Sequence, residues 1–86
     1  MASYQIKWKA SAAKELKKLP RQVVPPILAA INDLSNNPFP HGMRKMVDSE
    51  QSYRIRVGDY RVIYDVIKNE LIIQILRVRH RKDAYR

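Results

Sequence analysis

Along the chain the apolar positions first alternate with polar ones, then recur at spacings of three and four, then alternate again, and these changes of period predict the elements. In YQIKW, Tyr4, Ile6 and Trp8 alternate with Gln5 and Lys7, as on a half-buried strand. SAAKELKKLP follows, with Ser11 as a candidate N-cap, apolar positions at Ala12, Ala13, Leu16 and Leu19, and Pro20 as a stop; this is a short amphipathic helix. In QVVPPILAAINDLSNNP, Val23, Val24, Ile27, Leu28, Ile31 and Leu34 share one helical face. Pro25 and Pro26 fit only a first turn, where backbone N–H groups have no intrahelical partner, so the regular helix is placed over 25–35.

NNPFPHG is loop chemistry, and RKMV after it reads as a short strand. SYRIRV and YRVIYDVI are separated by Gly58-Asp59, a Gly-X pair suited to a two-residue hairpin turn. KNE marks a further turn, and LIIQILRV, apolar at nearly every position, reads as a central strand covered on both faces. The predicted class is α+β in the order β-α-α-β-β-β-β: an antiparallel sheet of four to five strands with an N-terminal helical hairpin on one face.

A Gly58-Asp59 turn sets Val57 opposite Tyr60, Arg56 opposite Arg61, Ile55 opposite Val62 and Arg54 opposite Ile63. One hairpin face then carries Tyr53, Ile55, Val57, Tyr60, Val62 and Tyr64, for packing under the helices, and the other carries Arg54, Arg56 and Arg61. Like charges directly opposite on neighbouring strands destabilise, by roughly 0.2–1 kcal/mol per pair. Only Asp65 lies near enough in the register to offset them. A site that accumulates such costs is more often functional than structural. One such arginine alone is ordinary solvated decoration; three, followed by the cationic ending RVRHRKDAYR, favour an anion site.

Charge over the whole chain points the same way. Seventeen Lys and Arg against eight Asp and Glu leave a formal +9, divided as +4 over residues 1–51 (eight bases, four acids) and +5 over 52–86 (nine bases, four acids). The excess is no detachable tail, and its expected partners are nucleic acid or an acidic protein. There is no cysteine, hence no disulfide framework and no Cys-based zinc site, and no apolar stretch approaches a membrane span. A cytoplasmic location and a single domain over 1–86 are the default expectations. The chain lacks GxxxxGK[ST], GxGxxG and HExxH motifs, and Asp33, Asp48, Glu50, Asp59, Asp65, Glu70 and Asp83 show no paired pattern, so no metal site or nucleotide cofactor is expected. Tyr85 is placed to stack on a base, and His80 is the one side chain of the ending with an ordinary pKa near neutrality; His41, in a loop beside Pro40 and Gly42, reads as plain surface.

YRIRVGDYRVIYDVI together with the HRKDAYR ending resembles the RelE branch of the RelE/ParE superfamily, the toxins of bacterial toxin–antitoxin pairs. The likeness spans nearly the whole chain, including a W-x-x-S-A-x-K-E-L-K-K-L first helix and a second helix ending at N-P. It implies an mRNA interferase that enters the ribosomal A site of the 70S ribosome and cuts mRNA there without metal or cofactor, and that an antitoxin neutralises. Arg54 and Arg56 match the two basic positions of the first hairpin strand, where some members carry lysine, and Arg61 matches the arginine after the turn. Arg81 matches the basic residue ending the last strand, and Tyr85 the terminal tyrosine across a loop two residues shorter. His80 resembles a histidine that several relatives carry near this point. Lys82 joins Arg54 and Arg56 as an RNA phosphate ligand.

Such cleavage proceeds by attack of the RNA's own 2′-hydroxyl on the neighbouring phosphate, leaving a 2′,3′-cyclic phosphate and a 5′-hydroxyl. It needs a base, cations for the phosphorane charge and a proton for the leaving oxygen. The resemblance gives Arg61 the charge stabilisation and Arg54 and Arg56 the phosphates. Arginine is a poor base, so Tyr85 or His80, or the ribosome with solvent, moves the first proton; Arg81 or His80 supplies the second. Arg77 and Arg79 stay outside the expected site, because a one-residue shift at KNE reverses the side they face. The rival readings are a ParE-like inhibitor of DNA gyrase, an inactive relative, and a non-catalytic RNA-binding module, which would weaken gradually as single charges were lost.

Overall fold

The computed structural model describes residues 3–83, in which a helical pair lies on one face of a five-stranded sheet. In chain order the elements are β1 (Gln5–Trp8), α1 (Ala10–Lys17), a 3-10 turn (Arg21–Val23), α2 (Val24–Leu34), β2 (Arg44–Lys45), β3 (Ser52–Val57), β4 (Tyr60–Ile67) and β5 (Ile72–His80). The strands lie in the order β1-β5-β4-β3-β2. Strands β2 to β5 pair antiparallel as expected, whereas β1 joins β5 in parallel, so the sheet is mixed. The helical pair after β1 carries the chain across one face to β2 at the opposite edge of the sheet, and β5 returns beside β1 only after the hairpin is complete.

The two helices begin for different reasons. α1 starts at Ala10, with Lys9 rather than Ser11 at the N-cap and no side-chain capping bond. The Lys9 N–H donates to the Ile75 carbonyl at 3.0 Å while its own carbonyl accepts the Ala13 N–H at 3.1 Å, so sheet pairing carries the chain straight into the helix. α2 begins as its prolines dictate, with Pro25 and Pro26 in the first turn and the 3-10 turn leading in. Ile27, Ile31 and Leu34 form its buried stripe; Leu28, at the stripe's margin, stays 37 % exposed.

α1 lies over β5 and α2 over β3. Beneath them Ala12, Val62, Tyr64, Ile73, Ile75 and Val78 are essentially inaccessible to solvent. Tyr64 donates its hydroxyl to the Pro38 carbonyl at 2.8 Å, and Phe39 meets Tyr53 edge-on at 5.1 Å between ring centroids. These two contacts fasten the NNPFPHG loop to the hairpin and so fix where β2 enters the sheet. No helix of the described residues is long and apolar enough to cross a membrane.

Candidate nucleic-acid interface

The β3–β4 hairpin has the register that the Gly58-Asp59 turn predicts, from Val57 opposite Tyr60 to Ser52 opposite Asp65. Gly58 takes φ +59° while Asp59 keeps a negative φ, the arrangement of a type II′ turn, whose twist suits a tight hairpin. Arg56 and Arg61, one step beyond the turn, form a non-hydrogen-bonded pair, the type in which Cα atoms approach to about 4.5 Å. Their side chains lean on the turn: Arg56 Nε donates to the Gly58 carbonyl at 3.2 Å, and Arg61 Nη1 donates to the Tyr60 carbonyl at 3.1 Å. Asp65 accepts the Ser52 hydroxyl and lies at the far end of the hairpin from this pair, and Asp59, in the turn itself, has its carboxylate 4.0 Å from Arg81.

β2 adds a cation that its short strand pattern did not single out. Arg44 pairs with Arg54, and together with Gly42, Arg56 and Arg61 the two line a cavity of about 290 Å³ on the sheet face turned away from the helices. Four arginines thus line one concavity. Their planar forks match phosphate oxygens, and being permanently protonated they stabilise an anion without supplying a base.

β5 extends the same face. A bulge between Ile63 and Tyr64 of β4 leaves Leu76 without an opposite number, so Arg77 pairs with Ile63 and Arg79 with Arg61. The bulge puts Val78 in the core and both arginines on the outer side. Arg79, in the row of Arg56 and Arg61, is held by Glu15 of α1: its Nε donates to Glu15 Oε2 at 2.6 Å, while Glu15 Oε1 accepts the Val78 N–H at 3.0 Å. That N–H belongs to the stretch of β5 that outruns β1, so Glu15 closes a sheet edge and ties down a cation together.

The remaining candidates are spread out. His80 pairs with Tyr60 on the helix-side face, its ring edge-on to that tyrosine at 5.3 Å, and so points away from the arginine cavity. Its Nδ1 accepts the Lys82 N–H at 3.2 Å, which places the proton of the neutral ring on Nε2. The Arg81 N–H donates to the Asp59 carbonyl at 2.7 Å, and its Nε lies 4.0 Å from Asp59 Oδ1, so Arg81 sits against the hairpin tip. Lys82 is exposed beyond it. Tyr85 lies outside the described residues. The structure therefore gathers Arg54, Arg56 and Arg61, adds Arg44, sets Arg81 at the turn that carries two of them, and separates His80 by the thickness of the sheet.

Comparison with known proteins places this arrangement. Residues 6–85 match the family model described as the ParE toxin of type II toxin–antitoxin system, parDE. The chain is 31 % identical to toxin RelG of Mycobacterium tuberculosis over 96 % of its own length and 97 % of that protein's. It is 30 % identical to toxin RelE of the same organism, covering 96 % of this chain and 87 % of the relative. Among solved structures, an archaeal RelE–RelB complex from Pyrococcus horikoshii OT3 superimposes with a TM-score of 0.82 at 31 % identity, over 95 % of this chain and 99 % of that one.

Proposed function

Because the chain belongs to the RelE/ParE superfamily, as a RelE-family toxin of a type II toxin–antitoxin system, we propose that it is a ribosome-dependent endoribonuclease cutting mRNA in the ribosomal A site. The observation that carries this reading is the cavity lined by Arg44, Arg54, Arg56 and Arg61 on the sheet face turned away from the two helices. Its cations bracket a phosphate and oppose the charge that grows on it as the 2′-hydroxyl attacks. Arg61 takes the developing charge; Arg54 and Arg56 hold the flanking phosphates, and Lys82 extends the basic track.

Proton transfer falls to the end of β5. Arg81 is anchored on the Asp59 carbonyl at the tip of the hairpin bearing Arg56 and Arg61, and is better placed than His80, on the opposite face, to protonate the leaving 5′-oxygen. Tyr85 is assigned to the 2′-hydroxyl and to stacking on the scissile nucleotide. The products are a 2′,3′-cyclic phosphate and a 5′-hydroxyl, and the arginines perform the electrostatic part without a metal ion. The protein partner is an acidic antitoxin, drawn by the +9 charge, as the archaeal relative is found with RelB.

The test is cleavage of 5′-labelled mRNA with and without programmed ribosomes. The expected result is a cut in the A-site codon ending in a cyclic phosphate, seen only with ribosomes. Arg61→Ala should lower its rate by about 10²-fold or more, the usual consequence of deleting one preorganised charge-stabilising group. A second reading has its own support: the matching family model is described as ParE, and inhibition of DNA gyrase would leave mRNA intact. Intact message with folded protein, together with loss of supercoiling by gyrase, would establish that reading instead.

A further inference from the structure

Next to the arginine cavity lies a second one, of about 450 Å³, under the loop between β2 and β3, and the two share Arg54. Its character differs. The floor is Ile63, which is 8 % exposed and is an apolar side chain on the face that carries Arg54, Arg56 and Arg61. One wall is Val47, 97 % exposed, an apolar group with almost no packing inside the molecule. The rim carries Asp48 and Ser49.

The loop that brings these groups together is fastened. The Met46 N–H donates to the Ser52 carbonyl at 2.8 Å, and Ser49 Oγ accepts the N–H groups of Gln51 and Ser52, each at 3.2 Å. With both of those bonds accepted, the Ser49 hydroxyl proton remains available to an incoming acceptor. Among the described residues the Asp48 carboxylate has neither an ion-pair nor a hydrogen-bond partner, although Lys45 and Arg54 line the same space. An ionised carboxylate is an acceptor only, with two oxygens side by side.

We propose that this cavity is a nucleobase subsite of the RNA groove, in which Ile63 and Val47 sandwich the ring and Asp48 selects guanine. The occupant follows from the neighbours. A flat ring between apolar groups, joined through Arg54 to a site for phosphate, is the layout of one nucleotide. Guanine is the base whose edge offers adjacent donors, N1–H and the 2-amino group, to a paired acceptor, while its O6 can take the Ser49 proton. Adenine and cytosine each present one amino donor next to an acceptor nitrogen, and uracil presents a single N–H between two carbonyls; each leaves Asp48 partly unmatched. The inference rests on the RNA reading of the arginine cavity and adds to it which base lies beside the bound phosphate.

The test is titration of the intact protein with the four nucleoside 3′,5′-bisphosphates, followed residue by residue through amide and arginine Nε resonances. Binding needs neither catalysis nor ribosomes. The expected result is that guanosine bisphosphate moves the resonances of Val47, Asp48, Ser49 and Arg54 and binds at least about fivefold more tightly than the other three, as a matched bidentate pair allows. Asp48→Ala, a change at an exposed loop position, should remove that preference while the arginine resonances still respond. Shifts confined to Arg44, Arg54, Arg56 and Arg61, equal affinity for all four bases, a preference for another base, or a guanine preference that survives Asp48→Ala would each overturn the subsite and leave the phosphate-binding reading standing. No response in either cavity would overturn both.

Discussion

Tyr64 is the largest side chain wholly removed from solvent, and burial, reinforced by the neighbouring Tyr53, pushes its phenol well above the usual tyrosine range. The unfolded chain releases this proton near pH 10 while the folded chain retains it, so above that pH the unfolded state binds fewer protons and stability falls, by up to about 1.4 kcal/mol per pH unit. Below pH 10 the contribution is fully present. Tyr64→Phe should cost about 1 kcal/mol at neutral pH, because the Pro38 carbonyl loses its donor, and the gap to the wild type should narrow as pH rises past 10. Urea unfolding at pH 7 and at pH 11 checks both parts. Glu15 has a comparable structural duty at the edge of β5. Glu15→Ala strands the Val78 N–H and releases Arg79, for an expected loss of about 1–3 kcal/mol in urea unfolding; Glu15→Gln, which keeps an acceptor for Val78, should lose less. The hairpin pattern puts Tyr64 under the helices, but neither its bond to Pro38 nor the duty of Glu15 was legible in advance. The partners of Glu15 lie 63 and 64 positions away, and nothing in SAAKELKK distinguishes this acid from a solvated helix charge.

The hairpin is the element whose sequence reading held in full, because a two-residue turn leaves its register no freedom: once Gly58 and Asp59 are the turn, every pairing and both faces follow. β5 was harder for the same reason inverted. Strict alternation through IIQILRVRH would put Arg77 and Arg79 on the side of Ile73 and Ile75, in the core; the bulge at Leu76 reverses that, and one residue's slip has no local signature in an apolar run. The parallel seating of β1 and the N-cap at Lys9 both depend on pairing with β5, again beyond the reach of local pattern. Arg44 escaped notice because a two-residue strand shows no alternation to read. Its arrival opposite Arg54 sharpens the conflict within the sheet: arginines face arginines at Arg44 and Arg54, and again along Arg56, Arg61 and Arg79. Arg56→Thr should therefore raise stability by about 0.2–1 kcal/mol in low salt, with the gain shrinking as salt screens the charges. Denaturant midpoints at two ionic strengths read this directly, and the same variant should lose mRNA cleavage. A variant that is both more stable and less active would identify the crowding as a functional cost rather than a tolerated accident.

At the scale of the whole molecule the question is whether the +9 charge acts as a diffuse cloud or through one face. The two leave different traces in salt. Counterions released from a single-stranded nucleic acid give a slope of log K against log salt of about −0.7 for each phosphate neutralised. A cloud attracts RNA to every side, so removing any one cation would weaken binding by a similar small amount. A face concentrates the ion pairs, so cations within it set the slope and cations elsewhere act only through long-range attraction, which physiological salt largely screens. Arg44 of the cavity and Lys14 and Lys17 of α1, on the opposite side of the sheet, make the comparison. Arg44→Ala should reduce the magnitude of the slope for a single-stranded RNA by about 0.7, whereas Lys14→Ala and Lys17→Ala should leave it nearly unchanged. Fluorescence anisotropy across a range of salt concentrations measures all three. Equal effects at all three positions would mean that RNA feels only the net charge, and the sheet face would then lose its claim to be the binding surface. A loss confined to Arg44 would add to the site a residue that β2 delivers from outside the hairpin.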